Sequence, residues 1–274
     1  MRVLLTGAGG LVGRACQRAF AADDVWAATH TELDVTDRVA VESAVAGFRP
    51  DAVVNAAAVA HVDACDAEPD RAFAVNAVAP GLLALAAARA GAVMCHLSTD
   101  YVFGGVAGGV AGPPYDEWSP VAPVQTYGRT KAGGEAAVRI ATTAHVIART
   151  SWVFTADGGM AARILDQYGR DGEVRAFGDQ WNAATCGDEL AATLRRLLLS
   201  GRFGTFHVCG HGRTTRAGLS RAVLEANGID PVAVVEVPMA SVPGLSPRPT
   251  DTTMEPRALR LAGIVGPGPW RDAL

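Results

Sequence analysis

The chain has 274 residues, 49% of them hydrophobic and 19% charged, which permits a sizeable core and excludes wholesale disorder. A net charge of −4 and a pI near 5.9 supply no general attraction for nucleic acid or an anionic membrane, so any phosphate site must be local. Five scattered cysteines (Cys16, Cys65, Cys95, Cys186, Cys209) form no C-x-x-C pair, and Met1–Gly7 is too short an apolar run for a secretory signal. Reduced thiols and a cytoplasmic location are expected.

Short apolar runs at Val3–Thr6, Val25–Thr29, Ala52–Asn55, Val93–Ser98 and Val146–Ala148 predict strands, with helices between them near 11–22, 36–48, 70–90 and 124–141. Near-continuous apolar strands alternating with helices predict a doubly wound parallel sheet of the Rossmann type, α/β in class. The alanine-rich run Ala77–Ala90 is interrupted by Pro80, Gly81 and Arg89 and reads as a buried helix, not a membrane span. After residue 150 the rhythm changes: a helix near 158–169, a strand at Val174–Phe177, a helix at Leu190–Leu199, a strand at Thr205–Cys209, a helix from Thr214 to Asn227, and a proline-rich tail. Residues 1–155, with 178–213 returning to them, are expected to form the dinucleotide-binding domain. Residues 156–177 and 214–274 are expected to form a smaller C-terminal substrate-binding lobe.

The run Gly7-Ala8-Gly9-Gly10-Leu11-Val12-Gly13 follows the first strand and opens the first helix, the context a dinucleotide-binding glycine motif requires. Gly7 permits the tight turn, Gly10 the approach of a pyrophosphate and Gly13 close helix–strand packing, while the helix N-terminus offers N–H groups and partial positive charge. Thr29, His30 and Thr31 occupy the end of the second strand, where NAD enzymes of this topology place an acid for the ribose. Asp34, followed by Val35, could meet the adenine or cap a helix. Without a close acid, and with His30 nearby, the cofactor reads as NADPH, NADH being the alternative.

Tyr127-Gly128-Arg129-Thr130-Lys131 sets a phenol and an ammonium four residues apart, on one face of a helix. A lysine charge within roughly 4–6 Å favours phenolate and would lower the tyrosine pKa from ~10. Leu97-Ser98-Thr99-Asp100-Tyr101-Val102-Phe103 follows the fourth strand, and a hydroxyl there can bond the same carbonyl oxygen. Thr99 is the first choice and Ser98 the second.

Taken together, the glycine loop, the Ser-Thr-Asp-Tyr-Val-Phe segment and Tyr127/Lys131 resemble the dTDP-4-dehydrorhamnose reductase group of extended short-chain dehydrogenases/reductases. The likeness runs nearly end to end. Arg49–Ala58 is similar to that family's fourth-strand region, Asn76–Pro80 to its following helix, Arg149–Phe154 to the segment after its fifth major strand, and Asp179-Gln180 to a later substrate-side turn. Arg248-Pro249 and Trp270-Arg271 resemble its C-terminal pattern. The resemblance implies reduction of the C4 ketone of a nucleoside-diphosphate 4-keto-6-deoxy sugar in deoxysugar biosynthesis. Thr99, Tyr127 and Lys131 would be catalytic, Tyr127 giving the proton and Lys131 binding the nicotinamide ribose. Ala56, Ala57, Ala58 and Asn76 would border the cofactor. Ser98, Asp100, Tyr101, Val102, Phe103, Trp152 and Arg248 would line the substrate side. Related dehydratases carry Asp-Glu after the threonine; here Tyr101 follows Asp100, so the second carboxylate of an elimination is missing. Two substrate-side segments depart from the family pattern: Ala183-Ala184-Thr185-Cys186 and Arg248-Pro249-Thr250-Asp251-Thr252.

Two other readings fit the scaffold, a sugar-nucleotide epimerase or epimerase/reductase and a non-catalytic NADP-binding regulatory subunit. A homodimer is compatible with the family, and neither a nucleic-acid nor a membrane partner is expected. No metal site is expected either: His207, Cys209 and His211 could share a strand face, but no fourth ligand is evident and Gly210 suggests the strand ends there. The acidic run Asp63, Asp66, Glu68 and Asp70 reads as solvated and helix-capping.

Overall fold

A computed structural model describes residues 1–105, 114–156 and 158–274. Strand β1 (Arg2–Thr6) turns through the glycines into α1 (Leu11–Ala19), followed by β2 (Asp24–Ala28), α2 (Arg38–Phe48) and β3 (Ala52–Asn55). Helices α3 (Val62–Ala67) and α4 (Pro69–Phe73) lead through one π turn (Ala74–Val78) into α5 (Ala79–Ala90). Next come β4 (Val93–Thr99), a 3-10 turn at Asp100–Val102, α6 (Thr126–Ala141) and β5 (His145–Thr150). The second half is built of smaller pieces: β6 (Val153–Thr155), β7 (Gly158–Gly159), α7 (Met160–Asp171), β8 (Val174–Phe177), β9 (Trp181–Asn182) and β10 (Thr185–Cys186). Then follow α8 (Gly187–Ser200), β11 (Gly204–His207), β12 (Thr214–Thr215), α9 (Arg216–Ala226), β13 (Val234–Val237) and α10 (Arg257–Ala262).

Six strands form the main sheet in the order β11-β5-β4-β3-β1-β2, every neighbouring pair parallel. This is the doubly wound architecture that the strand–helix alternation predicts. Side chains alternate across each strand, so both faces of the sheet need cover. Val3, Leu5, Val54, Cys95 and Ala148 pack on one face against Ala15 and Cys16 of α1 and Leu190, Leu194 and Leu197 of α8. Leu4, Val53, Met94 and Ile147 pack on the other against Val41 of α2, Leu83 of α5 and Val138 of α6. From β1 the chain crosses to β2 on one side and then to β3 on the other. That reversal opens a crevice at the strands' carboxyl ends, where such sheets bind ligands.

The structure corrects several boundaries. The single helix expected at 70–90 is α4, a π turn and α5. The π turn contains Asn76, whose carboxamide bonds both the N–H and the carbonyl of Val59 and also Thr130 Oγ1. The segment Arg49–Ala58, likened to a fourth strand, carries the third. Helix α3 gave no periodic signal because it is only six residues long. The tail after Asn227 is not irregular throughout: β13 pairs in parallel with β8, and Val234 joins Ile164, Val174, Leu219 and Val223 in a separate apolar cluster. Among the described residues one helical run, Pro69–Ala90, is long and apolar enough to span a bilayer by length and composition, and half of its most apolar stretch is buried in the fold.

Two glycines make the first turn possible. Gly7 has φ +71°, and a Cβ there would stand 2.5 Å from the Ala57 nitrogen. At Gly13 a Cβ would stand 2.2 Å from the Gly7 carbonyl oxygen and 2.8 Å from the Ala8 backbone. Backbone cannot rotate out of the way as a side chain can. Gly13→Ala is therefore expected to destabilise the protein by about 1–3 kcal/mol, read as a lower denaturant midpoint with an unchanged slope.

Candidate active site

The glycine loop lines a cleft of about 430 Å³ together with Thr29, His30, Leu33, Asp34, Val35, Ala56, Ala57, Ala58, Val59, Arg71 and Val75. Gly10 caps α1 without a side-chain hydrogen bond, so the first N–H groups of the helix have no side chain competing for them. A Cβ at Gly9 would meet nothing within 4 Å, which leaves the loop open to an incoming group. Leu11, Val12 and Gly13 form the first turn of α1 and are not among the residues lining this cleft.

The acids near β2 are not arranged as expected. Glu32 folds back, and its carboxylate accepts from the Thr29 N–H at 2.8 Å and the Thr29 hydroxyl at 2.7 Å, holding it below the usual carboxylate range. An acid thus reaches the strand end from three residues beyond it. Asp34 accepts from the hydroxyl and N–H of Thr36, which lower its pKa in the same way. Arg71 on the opposite wall had no sequence signal; it lies on the short α4, brought to the cleft only by the fold.

A second cleft of about 380 Å³ lies next along the same segment: Ala56–Val59 border the first and Ala60–Asp63 the second. Ser98, Thr99, Asp100, Tyr101, Tyr127, Trp152 and Arg248 all line it. Thr99 ends β4, where its hydroxyl donates to Asp100 Oδ1 at 3.0 Å, accepts from the Tyr101 N–H at 3.2 Å and stands beside the Tyr127 phenol. The Ser98 hydroxyl donates its hydrogen to Glu135 at 2.6 Å. Of the two hydroxyls, Thr99 is the one beside Tyr127.

Tyr127 and Lys131 share one face of α6, one turn apart. Lys131 is buried and points inward. Its ammonium donates to the Leu97 carbonyl at 2.5 Å and lies 3.4 Å from His96 Nε2. Burial raises Tyr127 above its ordinary pKa, and the Thr99 hydroxyl beside it opposes the rise. This overturns the expected lowering by a neighbouring lysine: Asp100, Cys65 and Tyr101 act on the phenol in the same direction as burial. Burial also pushes Lys131 down to about 8.

Other positions have moved away from the cleft. Val102 and Phe103 are fully buried beside Cys209 and Met254, because the 3-10 turn swings them under the sheet end. Asn76 is spent on Val59 and Thr130. Asp100 lines the cleft, yet both its oxygens are taken, Oδ1 by Thr99 and Oδ2 by Asn182 and Thr252. Burial raises it to about 6. The departing segment at 248–252 is thus tied to the site through Thr252. The acidic run is not merely solvated either. Asp63 pairs with Arg248 at 2.8 Å, and Asp66 accepts from the Thr126 N–H at 3.3 Å. His207 and Cys209 turn to carbonyls, at Glu255 and Met254.

Sequence reasoning missed Arg163 and Arg216, which line this cleft with Gln180 of the substrate-side turn. Gln180 donates to the Tyr101 hydroxyl at 2.7 Å. Arg216 lies over the Trp152 ring at 5.1 Å and is pushed down to about 10 by burial, with Arg163 and Arg248 adding like-charge repulsion. Trp152, expected on the substrate side, lines the cleft and has φ +37°. Strain of this kind in a bulky residue persists where surrounding structure enforces it, often at binding sites.

Residues 1–274 match the family model described as the RmlD substrate binding domain. A dTDP-4-dehydrorhamnose reductase of Mycolicibacterium smegmatis is 38% identical, over all of this chain and 84% of its own length. A dTDP-4-dehydrorhamnose reductase structure from Clostridium acetobutylicum superposes with a TM-score of 0.94 at 29% identity, covering 100% of this chain and 96% of the other. One from Bacillus anthracis, in complex with NADP, gives 0.93 at 27% identity over 99% and 96%. The match of the whole length to one family model, together with identity well above the level at which only a fold is shared, means that this chain belongs to the RmlD family.

Proposed function

We propose that this chain reduces the C4 ketone of a nucleoside-diphosphate 4-keto-6-deoxy sugar with NADPH, as a soluble cytoplasmic enzyme of deoxysugar biosynthesis. The observation that carries the reading is the placement of Thr99 and Tyr127 side by side in a cleft lined by three guanidinium groups, next along the chain's Ala56–Asp63 segment to the glycine-loop cleft. Residues 1–155 with 178–213 form the dinucleotide-binding unit in this reading, and 156–177 with 214–274 the substrate lobe. The enzyme needs no metal and acts without nucleic acid or membrane, alone or as a homodimer.

The glycine cradle fits a dinucleotide, since a Cβ at Gly7 or Gly13 would fill the space that the turn keeps clear. Gly7, Gly9, Gly10 and the first turn of α1 at Leu11 and Val12 would hold the pyrophosphate, Ala56–Ala58 and Val35 would flank the rest, and His30 and Arg71 would meet a 2′-phosphate. When bound, the reduced nicotinamide supplies the hydride. Arg163, Arg216 and Arg248 suit a diphosphate, with Arg216 weakly solvated and therefore strongly drawn to anions. Tyr127, kept protonated by burial, gives its proton to the oxygen as the carbonyl becomes an alcohol. Thr99 turns its hydrogen from Asp100 to that oxygen and orients it. Lys131 would bind the nicotinamide ribose.

Mixing the protein with a panel of 4-keto sugar nucleotides and following the reduced-nicotinamide absorbance tests this directly. One equivalent of NADPH consumed per sugar reduced is expected, with NADH slower. Product formed without net cofactor consumption would instead mean an epimerase, and cofactor binding without turnover a regulatory subunit.

A further inference from the structure

His96 lies in β4 with none of its surface exposed, between two nitrogen groups. Asn55 Nδ2 is 3.2 Å from its Nδ1, and Lys131 Nζ is 3.4 Å from its Nε2. Burial, with the charges of Lys131 and Arg139, holds the imidazole neutral, so one ring nitrogen donates and the other accepts. Which one donates is decided a step further in. The Ala57 N–H, which can only donate, reaches the Asn55 side chain at 3.1 Å, and the Thr6 hydroxyl donates to the same atom at 2.8 Å. That atom is the carboxamide oxygen, so the Asn55 NH2 faces the ring. Nδ1 therefore accepts, and the hydrogen sits on Nε2, directed at the lysine.

We propose that Asn55 and His96 are positioning residues for Lys131: the Ala57 amide orients Asn55, Asn55 selects the His96 tautomer, and the Nε2–H favours the neutral amine of Lys131 over its ammonium. The inference rests on the reductase reading of Tyr127 and Lys131. An N–H aimed at an ammonium is repulsive, whereas aimed at an amine it is a hydrogen bond. It works in the same direction as burial and against two groups that favour the charge, Glu135 one turn along α6 and the Cys65 thiol of α3. Asp100 acts on Tyr127, and the Leu97 carbonyl accepts from the lysine in either form. Ala57 also borders the glycine-loop cleft, so the relay runs from the wall of that cleft to the lysine.

Histidine-labelled protein read by carbon and nitrogen NMR at neutral pH reports the tautomer, with His96 assigned by its absence from the spectrum of His96→Gln. Nε2–H is expected; an Nδ1–H ring overturns the proposal whether or not the protein reduces sugars. The second arm is the alkaline limb of kcat/KM, which follows the free enzyme. His96→Leu removes the donor and is expected to move that limb up by about one pH unit. His96→Gln, whose amide NH2 can take the place of Nε2–H, should leave it near the wild-type position. Two variants that lose turnover equally with an unmoved limb would reduce His96 to a packing role. Absence of any wild-type turnover defeats the reductase reading instead, and the tautomer measurement still stands.

Discussion

Tyr127→Phe is expected to retain dinucleotide binding and to lose at least ~100-fold in turnover, the usual scale for a positioned acid–base group. The substitution removes one hydroxyl and keeps the ring, so the edge-on contact with Tyr101 at 6.1 Å survives. What goes is the phenol proton that stands beside Thr99 in the cleft. Burial raises the phenol above its ordinary range, which suits the reductive direction, where the group must be protonated when charge develops on the substrate oxygen. Thr99 cannot replace it, since a hydroxyl that orients an oxygen has no comparable acidity. Steady-state turnover, with cofactor binding followed by fluorescence, separates the two effects. Unchanged turnover would remove Tyr127 from the mechanism.

Arg149→Met is expected to destabilise the fold by about 3–5 kcal/mol, because it strands a buried carboxylate. Glu135 has no exposed surface, and it accepts from Arg149 through Nε and Nη2, each at 2.8 Å, from Ser98 and from Arg139. Burial alone would raise the Glu135 pKa. Arg149, Ser98 and Arg139 overcome that and hold it below its usual value. A carboxylate depressed in this way stabilises the fold above its unfolded pKa, and the contribution is lost as pH falls through the lower folded value. In the variant only Arg139 and Ser98 remain, and Arg139 is 39% exposed. The melting temperature should fall by on the order of 10 °C near neutral pH. The double variant Glu135→Leu/Arg149→Met should recover much of that loss, since replacing a buried pair by apolar groups is often neutral. A single variant as stable as the wild type would show that the pair contributes little to the fold.

The chain of contacts also bears on catalysis. Glu135 takes the Ser98 hydrogen, and Ser98 is thereby removed as a competitor for the substrate oxygen. The sequence ranks Thr99 above Ser98 without a physical reason to exclude either; the carboxylate behind Ser98 supplies one. Glu135 sits one turn beyond Lys131, at a position no motif marks, because its partner Arg149 arrives from the next strand.

What could be read from residue order alone rests on neighbours two to seven positions apart. Apolar runs covered on both faces required a parallel sheet flanked by helices, the glycines at 7, 10 and 13 required a close turn into a helix, and the spacing of Tyr127 and Lys131 put them on one helical face. The three-dimensional arrangement decided everything that depends on groups far apart in the chain. Arg163, Arg216 and Arg248 meet in one cleft, and Thr252 reaches Asp100. It also decided how the polar atoms act. Periodicity records which side of an element is apolar, whereas the hydrogen on a serine or an imidazole goes wherever a buried acceptor stands, and only the packed fold brings that acceptor into place.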